Sequence, residues 1–190
     1  MTRPRIQISW NTSVGHLVAR EPTLVEVRAH ADQLARGYND PANAPLMGHT
    51  DVIDPDEVVD QYDEMLSDPS SRNFLLFCDG ALVGDGDLRG IRGGTAEFAF
   101  MIAAPGHQGK GLGTKFAQML YHFGFAELQL ATIYASVVPA NTASRRVFDK
   151  LGCTLDDSAA ARAYADHPDD VVYARQPFAV DGVAIERLRT

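Results

Sequence analysis

The sequence predicts one domain of the α+β or α/β class, and three observations support this prediction. Three strand-like runs follow one another with only short turns between them, as in an antiparallel meander. A glycine-rich loop, a helical pattern and another strand come next, which indicates a β-α-β unit. The chain has 190 residues, of which 45% are hydrophobic and 22% charged, so we expect residues 1–190 to form a single domain.

One strand and two helices are predicted before the meander. Residues 15–20 (GHLVAR) are strand-like. Apolar residues recur at helical spacing over 23–37, and Thr23 is a suitable N-cap for that helix. A second helix is predicted over 54–66, with Asp54 as its N-cap and a proline at the first helical position.

The meander is predicted from its turns. Residues 73–78 and 81–88 flank Asp79-Gly80, a dipeptide favoured in tight hairpins because it tolerates positive φ. A third strand over 95–104 follows the Gly93-Gly94 turn, and no crossover helix separates the three runs.

Helical and strand patterns alternate in the remainder of the chain. We predict a helix over 114–128, a strand over 131–139, a helix over 141–151 and a last strand over 170–178. No internal repeat or linker divides the chain.

Charge and cysteine content narrow the function classes. The 25 acidic and 17 basic residues give a net charge of -8, which disfavours nucleic acid as a partner and suits a cationic or amine substrate. The alternative is that the negative charge only keeps the protein soluble. Cys78 and Cys153 lack metal-ligand spacing, so we expect neither a metal site nor a disulfide. Without a signal-peptide or membrane-spanning pattern, we expect a cytoplasmic protein.

Three glycines between a strand and a helix carry the strongest chemical signal. At Gly109, Gly111 and Gly113, the missing side chains let backbone N–H groups approach a ligand, and the helix dipole favours an anion. The pattern predicts a phosphate-bearing cofactor, and the alternative is a glycine-rich turn required only by chain geometry.

Two common phosphate motifs do not fit this loop. A nucleotide P-loop requires Ser or Thr after its lysine, but Lys110 is followed by Gly111. The dinucleotide motif requires a third glycine where this chain has Thr114. ATPase and dehydrogenase functions are therefore disfavoured.

The loop sequence QGKGLG, residues 108–113, resembles the Q/R-x-x-G-x-G/A motif of the GCN5-related N-acetyltransferase (GNAT) superfamily. Downstream, residues 141–153 are similar to the N-x-x-S-x-x-V-x-x-K-L-G-F pattern of the Rim-type ribosomal-protein acetyltransferases, with Cys153 in place of the final aromatic residue. The segment DDVVY at 169–173 is similar to the last strand of that branch. The resemblance covers roughly residues 73–178, the core motifs of the expected domain.

The resemblance implies a mixed, splayed sheet in which the fourth and fifth strands diverge around the thioester of acetyl-CoA. It also implies which residues bind this acyl donor: backbone groups bordering the splay, amides and side chains of the glycine loop, and two residues at the start of the later helix. These residues are Met101, Ile102, Ala103, Gln108, Gly109, Lys110, Gly111, Leu112, Gly113, Thr114, Asn141 and Ser144.

Glu97 is the candidate base, because family members often place a proton-accepting glutamate on this strand; the alternative is a solvated residue or an arginine partner. Ser136 occupies the fifth-strand position where some members carry a glutamate instead. Many relatives have a tyrosine, a candidate general acid, where this chain has Phe148, which cannot donate a proton. The resemblance to the Rim-type branch implies that the Ser144 hydroxyl is a thiolate partner, which donates a hydrogen bond or relays a proton; the alternative is a hydroxyl that bonds its own backbone. Asn141 is a helix cap, a ligand of the pantetheine arm, or both.

The leading functional hypothesis is a direct acetyl transfer to a primary amine, either a protein N-terminus or a small molecule. An aminoglycoside or polyamine acceptor is an alternative that repeated acidic residues in the pocket would favour, and Asp85, Asp87 and Glu97 are candidates for that role. A non-catalytic acyl-CoA-binding module is the alternative from a different class. Because dimers are common in the family, a homodimer is possible.

Overall fold

Nine strands join into one open sheet in the computed structural model, which describes residues 3–46, 51–104 and 106–188. The strands in this part of the chain are β1 (Arg5–Thr12), β2 (Gly15–Arg20), β3 (Arg72–Cys78), β4 (Ala81–Arg92), β5 (Thr95–Ile102), β6 (Thr132–Val137), β7 (Thr154–Leu155), β8 (Val171–Arg175) and β9 (Val183–Leu188). The helices are α1 (Leu24–Tyr38), α2 (Pro55–Ser67), α3 (Leu112–Ala126), α4 (Thr142–Lys150) and the short α5 (Ala159–Arg162), with a 3₁₀ turn at Ala44–Leu46.

The sheet order is β7-β8-β6-β5-β4-β3-β2-β1-β9, and all neighbouring pairs are antiparallel except β5 with β6. This mixed sheet with flanking helices confirms the predicted fold class, and the meander is the β3-β4-β5 segment. The predicted caps also form: Thr23 and Asp54 each complete a capping box with the glutamate three residues later. The sequence reading did not identify β1, β7, α5 or β9.

The parallel pair β5-β6 is short, and this creates the splay. The pairing runs only from Thr95 with Thr132 to Glu97 with Tyr134. Beyond Glu97 the two strands separate, and β6 continues paired to β8 on its other edge. The far half of β5 therefore has a neighbour on its β4 side only, and a gap opens in the middle of the sheet.

The two faces of the sheet are covered by different helices. The apolar face, which includes Leu88 and Phe98, packs against α3 in the main core. The approach is close, since a Cβ added at Gly86 would lie 2.8 Å from Phe116 Cε1. The opposite face packs against α1 and α2 through residues such as Leu75. Because side chains alternate along a strand, Asp85, Asp87, Arg89 and Glu97 all lie on the α1-α2 face.

Candidate active site

A cleft of about 710 Å³ opens where β5 and β6 diverge. Its walls include the glycine loop before α3, the start of α4, the α1-α2 face of β4 and β5, and the segment before β8. The volume lies in the range that small-molecule and cofactor sites occupy. The candidate residues from the sequence can therefore be located relative to one cavity.

The glycine loop presents backbone at the start of α3. Gly111 is the N-cap residue of this helix in the left-handed conformation, at φ +85°, and Gly109 has φ +76°. A Cβ at either position would meet no atom within 4 Å, so backbone conformation is what requires glycine there. Among the residues that the structure describes, no side chain caps α3. Its first N–H groups are available to an anion at the positive end of the helix dipole.

Gly113 and Gln108 have packing and anchoring roles in the same loop. A Cβ at Gly113 would lie 2.8 Å from Phe100 Cε2, so this glycine permits close approach of α3 to β5. Gln108 Nε2 donates to the Ile102 carbonyl at 3.0 Å and to Asn43 Oδ1 at 3.2 Å. The side chain thus ties the loop to the end of β5. Leu112 and Thr114 also line the cleft.

The end of β5 forms the border that the resemblance implied. The Ala103 N–H donates to the Val83 carbonyl at 2.9 Å and so faces away from the gap. Backbone direction alternates along a strand, so the Ile102 carbonyl lies on the gap side, where Gln108 contacts it. Met101 and Ile102 line the cleft, whereas Ala103 and Lys110 are not among its lining residues.

The start of α4 forms the opposite wall. Asn141 Oδ1 accepts from the Ser144 N–H at 3.0 Å, so Asn141 caps the helix. Within the described part of the chain, the Ser144 hydroxyl makes no hydrogen bond, and the side chain lines the cleft. Phe148 is buried and stacks on Tyr173, with ring centroids 5.4 Å apart. This phenylalanine supplies packing and no proton.

Glu97 lies at the last β5-β6 pair, where the gap begins, and only 6% of its surface is exposed. The pKa of its carboxyl is raised to about 7, chiefly by burial and in smaller part by the nearby Asp166 and Asp87. Arg89, its register partner on β4, and the backbone N–H of Ser136 act in the opposite direction. A carboxyl with this pKa can accept and release a proton near neutral pH.

Arg89 is held by Asp87 on the same strand. Its Nε donates to Asp87 Oδ1 at 2.8 Å and its Nη2 donates to Oδ2 at 3.2 Å. Burial of Asp87 raises the pKa of its carboxyl, and the two hydrogen bonds from Arg89 counteract this rise. The two opposite charges are therefore paired within one strand, through a bidentate charge-assisted contact.

Asp85 lies farther along β4 and is 8% exposed. The hydroxyls of Tyr38 and Tyr62 both donate to its Oδ2, the latter at 2.7 Å. Its buried Oδ1 has no hydrogen-bond partner among the described residues. Burial raises the pKa of this carboxyl to about 6, while the two tyrosine hydroxyls act to lower it.

Two further carboxyls, those of Asp166 and Asp170, lie across the gap on the segment leading into β8. Asp170 Oδ2 accepts from the Ser136 hydroxyl at 2.9 Å, and the same Ser136 oxygen accepts from the Asp166 N–H at 3.1 Å. Ser136, Asp166 and Asp170 all line the cleft. With Asp85, Asp87 and Glu97, five carboxylates surround one side of the cavity.

Sequence reasoning did not identify Tyr38, Tyr62, Asp166 or Asp170 as site residues. The alternation of Asp85, Asp87 and Arg89 at every second position was visible and marks one strand face. The two tyrosines come from α1 and α2, which precede β4 by many residues. Nothing in the local sequence of either helix indicates a contact with a carboxylate.

Two absences apply to residues 3–46, 51–104 and 106–188. No group of three or more histidine, cysteine, aspartate or glutamate side chains is positioned to hold a metal ion there. In the same ranges, no helix combines the length and the apolar character that crossing a membrane requires.

Comparison with known proteins identifies related sequences. Residues 23–154 match the family model described as Acetyltransferase (GNAT) domain. The chain is 35% identical over 102 residues to the spermidine N(1)-acetyltransferase of Escherichia coli K12, covering 53% of this chain and 54% of that protein. It is 33% identical over 98 residues to the probable N-acetyltransferase YjcK of Bacillus subtilis. The match thus spans about half the length of these curated relatives.

Solved structures share the fold at low sequence identity. Mycobacterium smegmatis RimJ in complex with CoA-disulfide superposes with a TM-score of 0.75 at 19% identity, covering 91% of this chain and 88% of that one. Vibrio cholerae spermidine N-acetyltransferase in complex with CoA and spermine gives a TM-score of 0.65 at 21% identity, covering 83% and 92%. Both likenesses support the same fold.

Proposed function

The chain belongs to the GNAT acetyltransferase family, and we propose that it transfers an acetyl group from acetyl-CoA to a primary amine of a small cationic acceptor. The observation that carries this proposal is Glu97. A buried carboxyl with a pKa near 7 stands where the gap opens, inside a cleft rich in carboxylates. A protonated amine is the group that such a site attracts and can deprotonate.

The donor site fits acetyl-CoA by its chemistry. The uncapped N-terminus of α3 offers backbone N–H groups to the pyrophosphate, and the gap beside Ile102 accommodates an extended chain with amide groups. Asn141 and Ser144 stand on the opposite wall. These features support acetyl-CoA binding between the glycine loop, the end of β5 and the start of α4.

In the proposed acetyl transfer, the amine nitrogen loses two protons in total. When bound, acetyl-CoA supplies a thioester whose acetyl carbon bonds to the amine nitrogen and whose sulfur departs as a thiolate. Glu97 takes one proton from the incoming ammonium, directly or through a water, and so generates the neutral nucleophile. The same nitrogen loses its second proton as the neutral amide forms, and the departing thiolate takes up one proton.

Ser144 is the proposed partner of that thiolate. Its hydroxyl is free to donate, and Phe148 cannot. A hydroxyl at this wall stabilises negative charge as it develops on sulfur or relays the proton to it.

A protein N-terminal amine is the second candidate acceptor. The similarity of residues 141–153 to the Rim-type pattern favours it. The carboxylates around the acceptor side of the cleft, other than Asp87, which Arg89 neutralises, favour a small polycationic amine instead, since each of them adds attraction for positive charge.

The test is thiol release from acetyl-CoA with a panel of monoamines, linear polyamines, aminoglycosides and N-terminal peptides, beside calorimetric titration of acetyl-CoA alone. Turnover with small amines is expected. Turnover confined to peptides would reassign the acceptor to protein N-termini. Binding of acetyl-CoA without turnover of any amine would favour a non-catalytic module, and no binding would overturn the proposed function.

A further inference from the structure

Asp85 is a buried carboxylate that the proposed acetyl transfer does not use. It lines the cleft, yet its Oδ2 accepts both tyrosine hydroxyls while Oδ1 is buried without a partner among the described residues. Leaving a buried charged acceptor unsatisfied costs more than about 1–3 kcal/mol, so such an atom needs an explanation. A ligand that donates hydrogen bonds would supply one.

The three side chains together present only oxygen acceptors to a ligand. Each tyrosine has committed its single O–H to Asp85 Oδ2, so each phenolic oxygen retains only accepting capacity. A primary ammonium group has three N–H donors and one positive charge. The cluster of Asp85 Oδ1 and the oxygens of Tyr38 and Tyr62 therefore matches an ammonium group in both charge and hydrogen-bonding capacity.

No described cation of the protein fills this role. Arg89 is the basic residue that acts on Asp85, and its guanidinium is bound through two nitrogens to Asp87. No described lysine or arginine forms an ion pair with Asp85, and the nearby Asp87 carries the same sign as Asp85. A cation that neutralises Asp85 must then come from a ligand.

The position of this cluster relative to Glu97 defines the ligand further. Asp85 precedes Arg89 by four residues on β4, and Glu97 pairs with Arg89. At about 3.4 Å per residue, Asp85 and Glu97 lie about 14 Å apart along the same sheet face. Between them on β5 lie Ala99, opposite the neutralised Asp87, and Met101. This intervening surface suits an aliphatic chain.

We propose that Asp85, Tyr38 and Tyr62 form a second-ammonium site, and that the acceptor is a linear diamine or polyamine whose reacting amine lies at Glu97. The inference rests on the proposed function and specifies its substrate class. The distal ammonium stays protonated, takes no part in bond making and anchors the acceptor. Its N–H groups donate a charge-assisted hydrogen bond to Asp85 and further hydrogen bonds to the two phenolic oxygens.

The test compares three acceptors with the same enzyme: 1,8-diaminooctane, 8-amino-1-octanol and 1,3-diaminopropane. The aminoalcohol keeps the chain and a polar end but removes the distal charge, and the short diamine keeps both charges but cannot span the two carboxylates. We expect kcat/KM for 1,8-diaminooctane to exceed that of either comparison acceptor by about tenfold or more, the value of one charged hydrogen bond.

Two substitutions test whether the preference for the diamine over the aminoalcohol comes from the second-ammonium site. Asp85→Asn and Tyr62→Phe should each lower kcat/KM for 1,8-diaminooctane, Asp85→Asn by about tenfold, while 8-amino-1-octanol changes by less than about twofold. Asp63→Asn, an exposed acidic residue on the same helix as Tyr62, is the matched control and should alter neither. Unchanged thermal melting and acetyl-CoA affinity would verify that the variants fold.

The outcomes separate this inference from the proposed function. Equal kcat/KM for the diamine and the aminoalcohol in the unmodified enzyme would overturn the second-ammonium site and leave the acetyltransferase function intact. An Asp85→Asn variant that retained the full diamine preference would do the same. Absence of thiol release with every amine would reject the function and this inference together.

Discussion

One side of the cleft is lined mainly by backbone groups, and the other side is lined by polar side chains. The proposed donor side, consisting of the glycine loop 106–114 and the first turn of α4, presents mainly backbone groups fixed by local conformation. The proposed acceptor side, consisting of Asp85, Asp87, Glu97 and their partners, presents side chains brought together from separate elements. Local backbone conformation leaves a short sequence motif, whereas a long-range cluster leaves only isolated residues. The donor side is therefore recognisable in the sequence, and the acceptor side needs the fold.

The largest effect is expected at Glu97 on the acceptor side. Glu97→Gln keeps the shape and removes the proton acceptor, so kcat should fall by about 10²–10⁴, the usual contribution of general base catalysis. Steady-state thiol release measures it, with calorimetric binding of acetyl-CoA as the readout for the donor side. That affinity should be unchanged, because Glu97 acts on the acceptor. A variant with near-normal kcat would remove Glu97 from the mechanism.

The pH dependence provides a second test of the acceptor side. Because Glu97 must be ionised to accept a proton, kcat/KM should rise with pH and level off above about 7. Below that value it should fall about tenfold per pH unit. A monoamine acceptor isolates Glu97 from Asp85. The inflection should disappear in Glu97→Gln, and an inflection that persists would assign it to another group.

A substitution at Gly111 tests whether the donor side depends on its backbone conformation. Gly111→Ala forces a side-chain-bearing residue into the left-handed region, which costs roughly 1–2 kcal/mol, while the added Cβ meets no atom. If the loop distorts to relieve this strain, the KM for acetyl-CoA should rise about tenfold with little change in acceptor KM.

Gly80→Ala is the matched control for this substitution. Gly80 has φ +83° in the β3-β4 hairpin and equally open surroundings, but it lies outside the cleft. It should lower the melting temperature to a similar degree and leave the KM for acetyl-CoA unchanged. Equal KM effects in both variants would show that the loop backbone has no special role in donor binding.

The burial that tunes Glu97 should also cost stability. Its pKa is 4.5 in the unfolded chain and about 7 in the folded protein, so the folded state binds more protons between these values and stability falls as pH rises through them. Glu97→Gln should therefore stabilise the protein by about 1–3 kcal/mol at pH 8 and by much less at pH 4. Urea unfolding at the two pH values measures the difference. An equal effect at both would mean that Glu97 is not strained by burial.

Most elements around the site follow from local sequence signals. The capping residues Thr23 and Asp54, the Asp79-Gly80 turn and the glycine loop each leave a local pattern, and the corresponding elements form close to the predicted bounds. The edge strand β9 leaves no comparable signal, since it pairs with β1 from the opposite end of the chain and its burial alternates only weakly.

The candidate site divides in the same way. The glycine loop and Asn141 have their predicted local structure, and Asn141 caps α4 as one alternative required. The contacts of Tyr62 with Asp85 and of Ser136 with Asp170 join residues 23 and 34 positions apart. Such contacts depend on sheet order and on helix packing, which no local pattern specifies.

The smallest effect is expected from Lys110, the cation of the loop motif. Its side chain is exposed and does not line the cleft, so its attraction for a phosphate is that of a surface pair, about 0–1 kcal/mol, and salt screens it. Lys110→Ala should raise the KM for acetyl-CoA by less than about fivefold at low salt, with the difference shrinking as salt is added. Arg146→Ala, which removes a cation that does line the cleft, is the comparison variant and should have the larger effect. A loss at Lys110 as large as that at Gly111 would mean that the donor side depends on side-chain charge as the acceptor side does, and the contrast between the two sides would fail.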